Sequence, residues 1–162
     1  MDKALKKVDV YIGTSIKGPN KGIGRCAYVM KSTKKNGEPY ESDPEIAQYE
    51  DATESRLVIY AIRDALNRLN YACEVVIHTE CNYAAAVFNL HWLEEWQRNG
   101  WKNKRNKDVA DSRLWNEIQQ EIEESGHLLQ AITGKHEFSD WMRWKLVVAQ
   151  EKNNEFFKVE KN

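Results

Sequence analysis

The sequence predicts a single α/β domain: a five-stranded mixed sheet, with three antiparallel and then two parallel strands, flanked by helices. The chain has 162 residues, a length typical of one domain with a sizeable core. Its early segments alternate apolar and polar residues, as strands do, whereas later segments repeat apolar residues at helical spacing. A short apolar strand also lies between two helices, which is typical of parallel pairing.

The first three predicted strands form an antiparallel meander. Residues 8–12 alternate and are β-branched or aromatic at the apolar positions, and a second strand covers roughly residues 23–31. A weaker third strand lies within residues 38–49, after the hairpin signal Asn36-Gly37. The short connections between these strands favour pairing of each strand with the next one.

Helices dominate the rest of the chain. A long helix is expected to begin near Asp51, because Asp51 and Glu54 have the spacing of a capping box. The elements expected after it are a strand at 74–79, a helix at 82–97, a helix at 111–125, a strand at 127–133 and a helix at 138–151. We expect the domain to occupy residues 1–152, and residues 153–162 to form a flexible tail.

The composition argues against several classes of protein. No apolar run is long enough to cross a bilayer, so we expect no membrane association. The three cysteines are odd in number and widely spaced, which argues against a disulfide framework or a zinc site and favours the reducing cytoplasm. The net charge is -1, but residues 98–107 hold five basic side chains and no acidic one, a local patch suited to phosphates.

Several motifs resemble those of one enzyme family. Residues 8–15 resemble its opening strand, residues 53–58 its long first helix, and residues 79–83 its Thr-Asp-Ser-x-Tyr motif. Residues 92–102 resemble its tryptophan-rich helices and the basic protrusion that holds the substrate. On these motifs, residues 8–151 are similar to type 1 ribonuclease H, of the bacterial and retroviral kind. The resemblance implies the fold described above, with a tryptophan-rich basic protrusion.

The resemblance also implies a two-metal nuclease site that this sequence has largely lost. The family cleaves the RNA strand of an RNA–DNA hybrid with two Mg²⁺ ions, which converging carboxylates hold. Its four acidic positions fall here on Gly13, Val58, Glu80 and Lys145, so Glu80 is the single acid retained as a catalytic candidate. We therefore expect no cofactor and no paired metal site. Mg²⁺ would enter only as a weakly bound single ion at Glu80, or in an enzyme with rearranged ligands.

Three other acids lie near these positions. Asp9 shares a strand face with position 13 but lies roughly 13 Å from it along the strand. Glu54 lies one helical turn, about 6 Å, before the second family position, where helix capping is its simpler role. Asp140 precedes the last family position by more than a turn. We therefore expect none of the three to rebuild the site.

Cationic side chains near the former metal site allow two hypotheses. Lys145 could form an ion pair with Glu80 across that site, or its ammonium group could lie in solvent. In the loop after the last strand, Lys135 takes the place of a mobile family histidine, and His136 follows it. His136 could stand in for that histidine.

The resemblance finally implies a nucleic-acid interface. The residues at the corresponding positions are Thr53, Ser55, Asn82, Trp101, Lys102, Lys104, Arg105 and Lys107. Helix capping is the alternative for the small polar residues. For the tryptophans Trp92, Trp96, Trp101 and Trp115, packing in a core is the alternative to stacking on nucleotides, and we favour the core.

We expect the protein to bind RNA–DNA hybrid or other duplex nucleic acid through the basic protrusion, without cleaving it. Two alternatives from different classes stay open. One is an active Mg²⁺-dependent ribonuclease H with rearranged ligands. The other is a protein-interaction or structural module that kept the fold and has a protein partner instead of nucleic acid.

Overall fold

The computed structural model describes residues 5–150, which form a mixed sheet with helices on both faces. The elements are β1 (Lys6–Thr14), β2 (Lys21–Thr33), β3 (Pro39–Glu41), β4 (Glu45–Thr53), α1 (Glu54–Asn67), β5 (Cys73–Thr79), α2 (Asn82–Asn89), α3 (Trp92–Arg98), α4 (Ser112–Ser125), β6 (Leu128–Thr133) and α5 (Ser139–Arg143), which a π-helical turn (Trp144–Val148) continues. The proposed tail, residues 153–162, lies outside the described residues.

The sheet confirms the predicted fold class. Its order is β3-β2-β1-β5-β6, with β4 also paired to β2. Strands β1 and β2 are antiparallel, whereas β5 is parallel to both β1 and β6. Parallel pairing of β1 with β5 follows from the crossover through α1. The carboxyl ends of β1, β5 and β6 therefore meet at one edge of the sheet.

The segment predicted to form the third strand contains two strands, β3 and β4, which both pair with β2. Within residues 5–150 the sheet therefore has six strands where five were expected. Strand β3 pairs with the end of β2, and β4 pairs with its first part. Between them, the Ser42 N–H donates to Met30 O, and the Met30 N–H donates to Ser42 Oγ, each at 2.8 Å. The serine hydroxyl thus replaces a backbone partner, and Pro44, which has no N–H, cannot continue the ladder.

The first helix begins three residues later than predicted. Strand β4 stays paired to β2 as far as Thr53, so the chain cannot turn into a helix before that residue. Thr53 is the N-cap, and its Oγ1 accepts a hydrogen bond from Arg56 N–H at 3.2 Å. The prediction of a cap at Asp51 was wrong: this residue has φ 50° and lies within β4.

The predicted helix at 82–97 is also divided, because His91 adopts a left-handed φ of 57° between α2 and α3. Helix α2 packs on β6, and α3 packs on α4. Trp115 of α4 is fully buried, with the Phe88 and Trp96 ring centroids 5.9 and 6.5 Å away. Trp92, Trp96 and Trp101 are partly buried against the same core. The core interpretation of the tryptophans is therefore confirmed for Trp115 and holds in part for the other three.

Two separate hydrophobic clusters lie on the two faces of the sheet. The larger one includes the buried stripe of α1 together with inward-facing residues of β1, β2 and β5. The smaller one joins Met142 and Leu146 to Ala27 and Val29 of β2. The final helical segment is held on the sheet by these two buried side chains. Its π-helical turn departs from the regular helix predicted for 138–151.

The edge strand β6 has a side-chain partner at its centre. Asn89 at the end of α2 donates to Ala131 O and accepts from Ala131 N–H, both at 2.9 Å. These two bonds occupy groups that would otherwise be open to pairing with another strand.

The cysteine thiols are free and buried. Burial raises the pKa of the Cys26 thiol to about 12, which keeps it protonated. Within residues 5–150, no helix combines the length and apolar character needed to span a bilayer.

The buried His127 makes stability depend on pH. Its Nδ1 accepts a hydrogen bond from Cys73 N–H at 3.1 Å, and burial lowers its pKa below the ordinary value. His127 therefore binds a proton more readily in the unfolded chain than in the folded one. Its contribution to the free energy of unfolding is complete above about pH 6.5 and is lost as the pH falls below that value. In urea unfolding at about pH 7.5 and 5.5, we expect wild type to lose more free energy of unfolding than His127→Asn, which keeps an acceptor but does not titrate. Equal losses would contradict this origin of the pH dependence.

Candidate nucleic-acid interface and former metal site

The four family acid positions fall near the carboxyl edge of the sheet. Gly13 is the penultimate residue of β1, and Glu80 directly follows β5. Val58 lies in the second turn of α1, and Lys145 lies in the π-helical turn after α5. The order of the elements thus brings Gly13 and Glu80, two of the positions that the resemblance indicated, to one edge of the sheet, while the surroundings of each position come from the packing.

The space beside Gly13 is filled by Met142. A Cβ at position 13 would lie 2.7 Å from Met142 Sδ and 2.8 Å from Met142 Cβ, closer than real Cβ atoms approach other heavy atoms. Met142 is 1% exposed and packs with Ala27, Val29 and Leu146. A carboxylate at position 13 would therefore require α5 to move away from the sheet.

Two further family acid positions, Val58 and Lys145, have different surroundings. Val58 is 1% exposed and belongs to the main hydrophobic core. A carboxylate there would be buried among apolar groups, which is costly without partners. Lys145 is half-buried and lies beside the buried stripe formed by Met142 and Leu146.

The cation that pairs with Glu80 is Lys17. Lys17 Nζ, from the turn after β1, lies 3.4 Å from Glu80 Oε2 and 4.0 Å from Glu54 Oε2. Glu54 Oε1 also accepts a hydrogen bond from Gly18 N–H at 3.3 Å. One ammonium group therefore lies between two carboxylates at this edge of the sheet and offsets their repulsion.

The hypothesis of an ion pair between Lys145 and Glu80 was wrong. Among the described residues, Glu80 pairs with Lys17, and no salt bridge joins it to Lys145. The turn that carries Lys17 follows β1 at the same edge of the sheet, whereas the helix carrying Lys145 is fixed on the sheet face by Met142. Sequence spacing gave no signal for Lys17, because its partners lie 37 and 63 positions further along the chain.

The other two acids considered as substitutes are engaged elsewhere. Asp9 Oδ1 lies 2.8 Å from His78 Nε2, and Asp140 Oδ1 accepts a hydrogen bond from Lys135 Nζ at 2.9 Å. Across residues 5–150, no group of three or more histidine, cysteine, aspartate or glutamate side chains could hold a metal ion. The residues present therefore do not fit a pair of Mg²⁺ ions, which need several converging oxygen ligands.

His136 is attached to the sheet. Its Nε2 donates to Ile12 O at 2.8 Å, and its Nδ1 accepts from Phe138 N–H at 3.2 Å. The Tyr11 ring packs edge-on against His136 and stacks on His78, with centroid distances of 5.3 and 4.3 Å. Burial lowers the pKa of His136, which favours the neutral ring that these bonds require. The His136 side chain is therefore held in place by two hydrogen bonds and by the Tyr11 ring.

The basic protrusion contains a tight turn, residues 102–107, which we call the basic turn. Asn103 Oδ1 accepts hydrogen bonds from Arg105 N–H at 2.9 Å and Lys107 N–H at 3.1 Å. This arrangement leaves Lys104, Arg105 and Lys107 exposed, whereas Lys102 forms a salt bridge with Asp108. The basic turn therefore presents three of the four cations that the sequence indicated.

A groove of about 360 Å³ separates the basic turn from α3. Trp92 and Trp96 line one side, and Lys104 and Arg105 line the other. Trp101 is half-buried against the core with a left-handed φ of 63°. Glu95 of α3 also lines the groove, which therefore combines aromatic surface with an excess of basic side chains, a pairing suited to nucleotides.

The small polar candidates lie at the starts of two neighbouring helices. Thr53 caps α1, and its Oγ1 lies 3.3 Å from Ser55 Oγ. Asn82 is exposed at the first position of α2, which contacts α1. The capping interpretation is confirmed for Thr53, while nucleic-acid contact by these residues stays a prediction.

Comparison with known sequences finds similarity to ribonucleases H. Residues 6–140 match the model of the RNase H family. The chain is 31% identical to ribonuclease H of Caldicellulosiruptor saccharolyticus over 116 residues, which cover 70% of this chain and 74% of that protein. It is 39% identical to ribonuclease H of Symbiobacterium thermophilum over 66 residues, which cover 41% of this chain and 45% of that protein.

Solved structures show the same fold at low sequence identity. LC9-RNase H1, a type 1 RNase H with the type 2 active-site motif, has a TM-score of 0.70 at 18% identity, covering 92% of this chain and 74% of that chain. The foamy viral protease-reverse transcriptase in complex with RNA/DNA hybrid has a TM-score of 0.60 at 18% identity, covering 80% of this chain and 17% of that chain.

The contact between positions 13 and 142 can be measured by a double-mutant cycle. We expect Gly13→Ala to lower the free energy of unfolding by about 1–3 kcal/mol, since the new methyl group meets Met142. Met142→Ala should cost about 2–5 kcal/mol, and the double variant should lose less than the sum because the shortened side chain relieves the clash. Gly22→Ala, where a Cβ meets nothing within 4 Å, should cost about 0.5 kcal/mol or less. Additive losses in urea unfolding would contradict the contact.

Proposed function

The chain belongs to the ribonuclease H family, and on that premise we propose that it binds RNA–DNA hybrid or another duplex nucleic acid without cleaving it. One observation carries the proposal: the basic turn is exposed and charged, while Met142 fills the space beside the first metal-ligand position. Recognition would use backbone phosphates and 2′-hydroxyl groups in the minor groove, which requires no metal.

The charge of the basic turn is available for phosphates. Within residues 5–150, Lys104, Arg105 and Lys107 form no salt bridge, unlike Lys102. The Asn103 side chain fixes the backbone that carries them, so little backbone entropy is lost when they bind. The net charge of -1 means that this patch, and not the whole molecule, would attract nucleic acid.

Surfaces next to the basic turn extend this interface. The groove lined by Trp92 and Trp96 offers aromatic faces beside the cations. Thr53 and Asn82 lie at helix starts, where backbone N–H groups favour phosphate oxygens. A related fold, the foamy viral reverse transcriptase, has been solved with RNA/DNA hybrid, which supports a nucleic-acid partner.

The arrangement of charges at the former metal site supports the proposed absence of cleavage. Lys17 holds a cation between Glu54 and Glu80. Two divalent ions would have to displace this ammonium group and would still lack ligands at Gly13 and Val58. We therefore assign Glu80 and Lys17 to a structural ion pair.

Removal of the exposed cations tests the proposal. We expect wild type to bind a fluorescent RNA–DNA hybrid at low salt, and Lys104→Ala/Arg105→Ala/Lys107→Ala to bind at least about tenfold more weakly, because phosphate contacts are lost. The slope of log affinity against log salt is negative, and its magnitude should fall by about 3 in that variant, because three phosphate contacts are lost.

A matched triple variant controls for net charge. Lys7→Ala/Lys34→Ala/Lys35→Ala removes the same charge at the opposite end of the sheet and should change the affinity by less than about twofold. Equal weakening by the two triple variants would contradict a specific interface. No binding of hybrid by wild type at low salt would reject the proposal and favour a protein-interaction module.

A further inference from the structure

We propose that a pocket at the far end of the sheet binds a nucleoside monophosphate. This far-end pocket, lined by Lys6, Met30, Lys34, Tyr40, Leu69 and Tyr71 among others, has a volume of about 400 Å³. It lies at the amino end of β1, whereas the former metal site lies at the carboxyl end of that strand. It is therefore separate from the interface proposed for duplex nucleic acid.

The pocket is an apolar recess beneath the end of α1. Its lining includes the buried side chains of Val8, Met30 and Cys73, together with Leu69 from the segment that follows the helix. Small-molecule sites typically occupy about 300–1,000 Å³ and combine an apolar lining with a few polar groups. The volume of about 400 Å³ is therefore sufficient for one nucleotide.

The charge of the lining selects an anion. Lys6, Lys34 and Arg68 line the pocket, and no aspartate or glutamate among residues 5–150 does. Arg68 is neutralised by Glu45 at 3.0 Å, with a further contact to Asp64 at 3.7 Å.

Among residues 5–150, the ammonium groups of Lys6 and Lys34 have no carboxylate partner. Lys6 Nζ donates a hydrogen bond to the neutral Tyr71 hydroxyl at 3.2 Å and lies 5.8 Å from the centroid of the Tyr71 ring. Burial raises the pKa of the Cys73 thiol, which therefore adds no negative charge. Lys6 and Lys34 thus provide positive charge for one phosphate group.

Aromatic surface at the pocket selects a planar group beside the anion. Tyr40 and Tyr71 line the pocket and are 46% and 56% exposed, high values for aromatic side chains. Base–aromatic stacking is favourable for every base, since each has a π-face. The hydroxyl groups of Ser32 and Tyr40 add hydrogen-bond donors to the lining. A base with one attached phosphate uses all three features: rings, apolar recess and cations.

Calorimetric titration of the full chain with adenosine 5′-monophosphate tests the proposal. We expect binding to wild type, and binding about tenfold weaker to Lys6→Gln/Lys34→Gln, which removes the two uncompensated cations. The matched control Lys7→Gln/Lys35→Gln removes the same charge from neighbouring exposed residues outside the lining and should change the affinity by less than about twofold.

Two further ligands separate the contributions of phosphate and base. Adenosine and inorganic phosphate should each bind more weakly than adenosine 5′-monophosphate, because each lacks one recognised group. Equal affinity of the nucleotide for the two double variants, or adenosine or phosphate binding as tightly as the nucleotide, would overturn the proposal. Hybrid binding should be unchanged in Lys6→Gln/Lys34→Gln, so the outcome is independent of the function proposed above.

Discussion

The close packing of Met142 against Gly13 determines what the candidate site can hold. Met142 and Leu146 hold the last helical segment on the outer face of the sheet, and a residue without a side chain opposite Met142 lets the helix approach. The same packing that stabilises this face occupies the volume where a metal-binding carboxylate would stand. Glycine at position 13 and the packing of Met142 into the space beside it therefore belong together. Replacement of Gly13 by aspartate would not rebuild the site unless Met142 also moved.

Much of the fold could be predicted because it depends on local periodicity and on crossover connections. The mixed sheet and the order of its strands follow from such patterns. The ends of strands and helices that depend on pairing with a neighbouring strand could not be predicted from these patterns. Strand β4 extends to Thr53 because β2 continues beside it, and this moves the helix start past Asp51. The break at Ser42 depends on a side-chain bond to Met30, which no periodicity reveals.

For the candidate site, the sequence located the positions but not their partners. The resemblance assigns Gly13 and Glu80 to metal-ligand positions of the family, and both residues lie at the carboxyl edge of the sheet. An ion pair of Glu80 with Lys145 was one of two hypotheses, and the partner of Glu80 is Lys17, because a turn at that edge reaches Glu80 more directly than a helix fixed on the sheet face. Similarly, only the structure shows that Asp108 neutralises Lys102 within the basic turn.

Whether the protein cleaves RNA–DNA hybrid can be decided by a cleavage assay with Mg²⁺ or Mn²⁺, with Glu80→Ala measured in parallel. We expect wild type to release no product beyond the level of Glu80→Ala, because Met142 fills the space beside position 13 and the Lys17 ammonium group lies beside Glu80, which leaves too few ligands for two ions. Metal-dependent hydrolysis by wild type that disappears in Glu80→Ala would show a working metal site there and would refute the proposed loss of cleavage.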